Sequence, residues 1–214
     1  MEKLNKDLLE QWLNDIQRII FDINITVDNL NRLIVPESNF EKQILEHGFF
    51  GQFYKQSWFT SIVQLSKLYT DSKNQKRNLF KFFNILENFK YDTLLLDELE
   101  NNKNSPGQNL YFSKDDVLDS TQKLREKIAD KKTIIEYVIF LRDKTHAHSD
   151  VDPGLPSVSV TDLTELRDLS IIIHNTISAG FLDTSFPFSI DSDWRVDYPI
   201  KMLAKQREEL EEKS

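Results

Sequence analysis

The sequence predicts an all-α fold: an antiparallel bundle of four to five long helices with an irregular, aromatic C-terminal cap. Apolar residues recur at spacings of three and four over long stretches, which is the periodicity of amphipathic helices. Only five glycines and six prolines interrupt the 214 residues, too few for many turn-linked strands. We place the bundle in residues 1–180, and the cap with a charged tail helix from about Ile200 in residues 181–214 of the same domain.

The first helix has the most regular pattern. Between Leu9 and Ile34 the spacings of the apolar positions alternate between four and three, and Pro36 follows directly. This predicts one long amphipathic helix with a continuous apolar stripe along one side.

Two further helical regions come next. Ser38 or Asn39 can cap a second helix, which the apolar residues continue as a single helix to about Tyr69. A short aromatic helix then covers "NLFKFFNILENF", and "DTLLLDELENN" extends it before a polar loop.

The next helix carries the most unusual position of the chain. Ser113 or Asp115 can cap it, and its apolar stripe continues at heptad spacing to Arg142. A core-facing arginine needs a partner or a ligand, because an unpaired buried charge is costly. A fifth helix starts near Thr161 or Asp162.

Composition excludes several functional classes. The chain has no cysteine, so disulfides, thiolate catalysis and Cys-containing zinc sites are excluded. Its start lacks a signal peptide, and no apolar stretch approaches about 18 residues. We expect a soluble, cytoplasmic protein without membrane contact. The formal charge of −8 argues against a general nucleic-acid coat protein, yet residues 121–146 are net basic, with seven Lys or Arg against four Asp or Glu.

The stretch "LRDKTHAHSD" at residues 141–150 holds two of the four histidines. One interpretation is structural: cations are favoured at a helix C-terminus, by about 0.3 to 1 kcal/mol each. This explains the charges of Arg142, Lys144 and His146 but not the position of Arg142 on the apolar stripe.

A metal site is a second interpretation of the same stretch. His146 and His148 would bind the metal, completed by Asp143 or Asp150. On a helix, however, residues two apart point about 200° away from each other, which disfavours shared coordination. We expect neither a metal nor another cofactor.

Phosphodiester cleavage is the third interpretation. The forked donors of Arg142 can hold a scissile phosphate, while a histidine moves protons to and from the reacting oxygens. On a continuous helix His146 shares the face of Arg142, whereas His148 lies about 240° around it. His148 reaches Arg142 only if the helix ends near residues 145–147, so the identity of the working histidine stays open.

The stretch resembles the R-x4–6-H signature of the HEPN superfamily, in which a polar residue often follows the arginine. Arg142, Asp143 and His148 match it, and His146 satisfies the shorter spacing. Taken together with "SIVQLSKLYTDSKN", the sequence of this stretch is most similar to the AbiU-type abortive-infection branch. The resemblance covers roughly residues 5–180.

The resemblance implies a HEPN-like helical bundle that forms homodimers. Active members are metal-independent endoribonucleases, acting in phage defence by abortive infection or as the toxin of a toxin–antitoxin pair. His148 would be the catalytic base or acid, Arg142 would clamp the phosphate, and Asp143 would orient one of them. Dimers of this family bring two copies of the motif together, so the site would form within one chain or across an interface. Other members are inactive, and the alternative is a non-catalytic bundle that binds a partner or a nucleotide.

The resemblance also implies partners. RNA would be the substrate, and an antitoxin of the nucleotidyltransferase type is a further candidate. Such antitoxins often modify a tyrosine two residues after the histidine, a position that holds Asp150 here. Lys144, and Lys73 and Arg77 in the basic stretch "DSKNQKR", are candidates for contacting the RNA backbone.

Overall fold

Helices joined by short turns build the structure. A computed structural model describes residues 3–72, 74–104, 110–147, 157–188 and 195–213, with the backbone alone for residues 104 and 145–147. Within these ranges the helices are α1 (Lys6–Ile34), α2 (Asn39–Leu45), α3 (Gly48–Tyr69), α4 (Leu79–Asn88), α5 (Thr93–Asn101), α6 (Lys114–Asp130), α7 (Lys132–Ala147), α8 (Val160–Leu182) and α9 (Asp197–Glu211). Two short strands, β1 (Lys3–Leu4) and β2 (Lys90–Tyr91), pair in parallel. The all-α class is confirmed.

Helix α1 forms the centre of the bundle, as its stripe predicts. The side chain of Asn5 caps it by accepting from the backbone N–H of Leu8 at 2.9 Å. The stripe is buried from Leu9 to Leu30, whereas Ile34 at its end is half exposed. Helices α3 and α8 pack on α1, and both run antiparallel to it.

The predicted second helix is two helices, and the prediction of one was wrong. Ser38 caps α2, but the backbone of His47 is extended (φ −67°, ψ 137°). Its Nδ1 accepts from the N–H of Phe49 at 3.3 Å, so His47 caps α3 instead of continuing α2.

The predicted fourth helix also divides. Ser113 caps α6, and Lys131 leaves the helical conformation (φ −101°, ψ 12°) before α7 begins. No glycine or proline marks this break; packing requires it, because α6 contacts α4 and α8 whereas α7 packs on α3. The Nζ of Lys131 pairs with Glu165 of α8 at 2.7 Å, which explains a lysine on the stripe.

The region after α4 also differs from its prediction. Helix α5 does not extend α4, because β2 lies between them and pairs with β1 at the start of the chain. The side chain of Asp92 then caps α5 by accepting from the N–H of Leu95 at 2.8 Å.

Helix α8 starts at Val160, within one or two residues of the predicted start near Thr161 or Asp162. Ser159 is its N-cap and forms a capping box with Asp162, which places Thr161 inside the first turn. After α8, the side-chain amide of Asn175 accepts from the N–H of Phe186 at 3.0 Å and donates to the carbonyl of Phe186 at 2.9 Å. Phe186 and Phe188 pack against the core of the bundle, as predicted for an aromatic cap.

Helix α9 begins at Asp197 rather than at Ile200. It packs on α2, and its buried Ile200 joins a second apolar cluster with Leu33 and Phe50. Within the described ranges, no helix is both long and apolar enough to cross a membrane.

Candidate functional site

Arg142 lies near the C-terminal end of α7, on the side that packs against α3. Its side chain is 24 % exposed, and Val138, one turn earlier, is buried. The core-facing position predicted from the heptad count is therefore close to correct, with the guanidinium at the edge of the α3–α7 contact.

Two hydroxyl groups of α3 fix the direction of this guanidinium. Its NH1 nitrogen donates to Thr70 Oγ1 at 3.2 Å and, at 3.5 Å, to Ser66 Oγ. Thr70 donates its own proton to the carbonyl of Ser66 at 2.6 Å, and Ser66 donates to the carbonyl of Val63 at 2.7 Å. Both oxygens therefore face the arginine as acceptors.

Asp143 occupies the opposite edge of the guanidinium. Its Oδ1 accepts from Arg142 Nε at 2.8 Å and from NH2 at 2.7 Å. Asp143 is largely exposed, and exposed ion pairs contribute only about 0 to 1 kcal/mol. A phosphate could displace this carboxylate at low cost, because it offers the same forked geometry with more charge.

The histidines of the motif are described only in part. The backbone of His146 lies in the last turn of α7, about 6 Å along the axis from Arg142. His148 lies outside the described residues. Which histidine acts with Arg142, and whether the site forms within one chain or across a dimer interface, therefore stay predictions from the sequence.

No protein-family model, curated protein or solved structure matches this chain. The chemistry that the site can perform is therefore inferred from its residues alone. In the part of the chain that the structure describes, no group of three or more His, Asp or Glu side chains could hold a metal ion.

The basic excess of residues 121–146 is mostly paired. Lys144 is exposed, with its Nζ 5.7 Å from the centre of the Phe140 ring. On an ideal helix Lys144 points about 200° away from Arg142, so the two cannot grip one phosphate together. The paired cations are Lys123 with Asp119, Arg125 with Glu87, Lys131 with Glu165, and Lys132 with Glu136.

Arg77, the other basic candidate, lies after the same end of α3. Its Nε pairs with Asp15 of α1 at 2.5 Å, and its guanidinium stacks on the ring of Trp12 at 4.3 Å. These contacts give Arg77 a structural role in fastening this loop to α1. Lys73 lies outside the described residues, and a role for either residue in RNA binding stays a prediction.

Sequence reasoning did not assign Ser66 and Thr70 to the site. Their signal is the i, i+4 spacing, which places two hydroxyls on one face of a helix. Ser66 is fully buried, and nothing in one sequence indicates that α7 crosses α3 at this turn.

Proposed function

We propose that the protein is a HEPN-type, metal-independent endoribonuclease, acting in phage defence by abortive infection or as the toxin of a toxin–antitoxin pair. The observation that supports this best is the guanidinium of Arg142, held between the α3 hydroxyls and an exposed carboxylate. A partly exposed cation held in a fixed direction suits a phosphodiester, and two histidines follow within six residues.

The proposed reaction is attack of the ribose 2′-hydroxyl on the adjacent phosphorus. A histidine, His148 or His146, takes the 2′-hydroxyl proton as the new P–O bond forms. The bond from phosphorus to the 5′-oxygen breaks, and a protonated histidine or water supplies the proton to that leaving oxygen. Arg142 stabilises the charge that develops on the non-bridging oxygens. The products are a 2′,3′-cyclic phosphate and a free 5′-hydroxyl.

The second candidate function is a non-catalytic bundle that binds a partner or a nucleotide. The pairing of Arg142 with Asp143 favours it, since the arginine already has a counter-charge and completes a helix end. Under this alternative Arg142 would contribute to stability or to a contact surface, and no RNA would be cut.

The decisive experiment is RNA cleavage in the presence of EDTA. The wild-type protein should cut single-stranded RNA to products with cyclic phosphate ends, identified by mass spectrometry. Arg142→Ala and His148→Ala should each lower the rate by at least about 100-fold, the scale of losing a charge-stabilising or proton-transfer group. Comparing His146→Ala with His148→Ala shows which of the two histidines transfers the proton.

Arg125→Ala is the matched control. Arg125 is also a partly buried helical arginine, and it binds Glu87 through two hydrogen bonds on α4. Its loss should affect stability more than cleavage. Absence of cleavage by the folded wild type, or full activity in the Arg142 and His148 variants, would favour the non-catalytic function.

A further inference from the structure

A small pocket lies between the first half of α1 and the end of α8. Its volume is about 230 Å³, which is room for much more than a single water molecule. The side chains on its floor are buried, and those at its mouth are exposed. The floor consists of Leu13, His174 and Ser178, and the mouth of Asn14, Thr184 and Ser185.

The position of the hydrogen on the His174 ring follows from its neighbour. Nδ1 of His174 lies 3.1 Å from Asn175 Oδ1. The backbone of Phe186 fixes the orientation of this amide, because it donates to Oδ1 and accepts from Nδ2. Since Oδ1 can only accept, Nδ1 carries the hydrogen and Nε2 of the neutral ring is an acceptor.

This acceptor is buried and faces the pocket. The side chain of His174 is 3 % exposed, and its Nε2 has no hydrogen-bond partner among the described residues. Asn175 covers the Nδ1 edge of the ring, and Phe188 packs against the ring at right angles. Neither of these two residues lines the pocket, so the Nε2 edge is the part of the ring that is left to do so. A buried acceptor without a donor is costly, and a ligand in the pocket could supply the donor.

The charges around the pocket favour a donor that is a cation. Glu10 is the charged side chain among the described residues that line it. An adjoining pocket shares Glu10 and adds the exposed Asp183 and Glu98. Glu98 pairs with Lys6 at 2.8 Å, whereas neither Glu10 nor Asp183 forms an ion pair within the described ranges. Two carboxylates therefore lie beside a pocket that has a neutral acceptor on its floor.

We propose that this pocket binds a small aliphatic amine in its ammonium form, and that a diamine fits best. One ammonium group donates to Nε2 of His174, with Glu10 as its counter-charge. An ammonium carries three donors and no acceptor, which matches this set of groups. The second ammonium of a diamine lies toward Asp183, and Leu13 and Leu182 pack against the methylene groups between the two charges.

The pocket is separate from the Arg142 site. Arg142 is held by Ser66 and Thr70 of α3, and none of these three residues lines the pocket. Amine binding needs neither RNA nor cleavage. The proposal therefore stands or falls independently of the proposed nuclease activity.

Isothermal titration calorimetry with 1,4-diaminobutane tests the proposal. The titration is done at pH 7.5 in about 150 mM NaCl, which screens general attraction of a diamine to an acidic protein. Binding should be saturable, with a Kd on the order of 1 mM, because so few atoms support little more affinity. The matched neutral probe is 1,4-butanediol, which has the same chain length without charge and should bind at least about tenfold more weakly.

One pair of variants tests where the diamine binds. Glu10→Gln removes the counter-charge and should weaken binding at least about tenfold. Glu46→Gln is the matched control, because it removes an exposed carboxylate far from the pocket. Glu46 follows Leu45, which packs with Leu33, and Leu33 is 20 residues or about 30 Å along α1 from Leu13. This control should keep the wild-type affinity.

Nitrogen NMR of the His174 ring tests the floor contact in the wild-type protein, so no variant has to remove a buried side chain. Without the diamine, Nε2 should resonate as an unprotonated nitrogen and Nδ1 as a protonated one. Saturation with 1,4-diaminobutane should move the Nε2 resonance upfield, because its lone pair then accepts a hydrogen bond. The Nδ1 resonance should stay nearly unchanged.

Four outcomes would overturn the proposal. One is the absence of saturable diamine binding up to about 20 mM, well above the expected Kd. Another is binding of the diol as tightly as the diamine, which would indicate a pocket for neutral hydroxyl compounds. The third is equal affinity in Glu10→Gln and Glu46→Gln, which would indicate general attraction to the acidic surface. The fourth is an Nε2 resonance that does not move at saturation.

Discussion

The guanidinium of Arg142 donates to the hydroxyl of Thr70 over 3.2 Å, although 72 positions separate the two residues in the chain. Thr70 caps the C-terminal end of α3, and its own proton goes to the carbonyl of Ser66. Its oxygen can therefore only accept from the arginine. The contact fixes the direction of the guanidinium from the α3 side, independently of the exposed Asp143.

The first prediction is that Thr70 positions Arg142 for catalysis. Thr70→Val keeps the side-chain shape but removes the acceptor, and a hydrogen bond to a charged group contributes about 1.5 to 3 kcal/mol. On the proposed nuclease function, kcat should fall about 10- to 100-fold while KM changes less. Single-turnover RNA cleavage measures the effect.

Thr70→Ser is the control for this prediction, because it keeps the hydroxyl and should retain most of the rate. A structural role alone would lower the thermal midpoint of Thr70→Val and leave kcat unchanged. That pattern, or equal rates in Thr70→Val and wild type, would remove Thr70 from the site.

Most of the helical content and the direction of Arg142 could be predicted from local periodicity. The buried stripe of α1 and the N-caps at Ser38 and Ser113 follow from residue type and spacing. The breaks at His47 and Lys131 do not. Gly48 directly follows the first break, whereas no glycine or proline lies beside the second, and at both breaks the flanking helices pack on different neighbours.

The surroundings of the site were less predictable than its centre. Arg142 stands out because its charge conflicts with an apolar stripe, a conflict visible in one sequence. Ser66 and Thr70 satisfy local helical rules and give no such signal; their role depends on where α7 crosses α3. Likewise, the basic excess near the motif predicts an RNA surface, but most of its cations pair with acidic residues on α4, α6, α7 and α8.

The second prediction concerns the ion-pair network that fixes α9. Arg32 Nη2 binds Glu41 at 2.7 Å, and Arg32 Nε binds Asp197. Burial alone would raise the pKa of Glu41, but hydrogen bonds from Arg32 and from the Glu37 backbone outweigh it and lower that pKa. The pKa of Asp197 is lowered in the same way by Arg32 and Lys201, against its own burial.

Arg32→Gln should therefore destabilise the protein by about 3 kcal/mol at pH 7, because Glu41 stays buried without its counter-charge. A carboxylate with a lowered folded-state pKa stabilises the fold above its unfolded pKa and loses this contribution as the pH falls through the folded pKa. The difference between wild type and variant should shrink as the pH falls below about 4. Urea unfolding from pH 7 to pH 3 measures it; a difference that is independent of pH would contradict the network.

The third prediction concerns Gly180 on α8. The ring of Tyr111 lies where a side chain would start, with Cε2 only 2.2 Å from the position of an added Cβ. The N–H of Tyr111 also donates to the carbonyl of Gly180 at 2.7 Å, which holds the two backbones together. Gly180→Ala should therefore destabilise the protein by about 1 to 3 kcal/mol, although alanine has the higher helix propensity.

Chemical denaturation of Gly180→Ala measures this cost, and Ala179→Gly provides the comparison at the adjacent position of the same helix. In Gly180→Ala combined with Tyr111→Leu, the smaller side chain should reduce the penalty of the alanine. A Gly180→Ala variant as stable as wild type would show that the Tyr111 ring moves aside freely.

The last prediction follows from His174, which is buried on α8. Its Nδ1 lies 3.1 Å from Asn175 Oδ1, and the ring packs edge-on against Phe188. Burial lowers the pKa of His174, and the hydrogen bond to Asn175 offsets this only in part. The histidine therefore stays neutral in the folded state at pH values where the unfolded chain is already protonated.

Protons then bind the unfolded state more strongly, so stability should fall as the pH drops below about 6.5, by at most about 1.4 kcal/mol per pH unit for this group. The loss should end at the lowered folded-state pKa. Urea unfolding of His174→Gln should show lower stability at pH 7.5 but a flatter profile between pH 7 and 5. An unchanged slope in His174→Gln would assign the pH dependence to other groups.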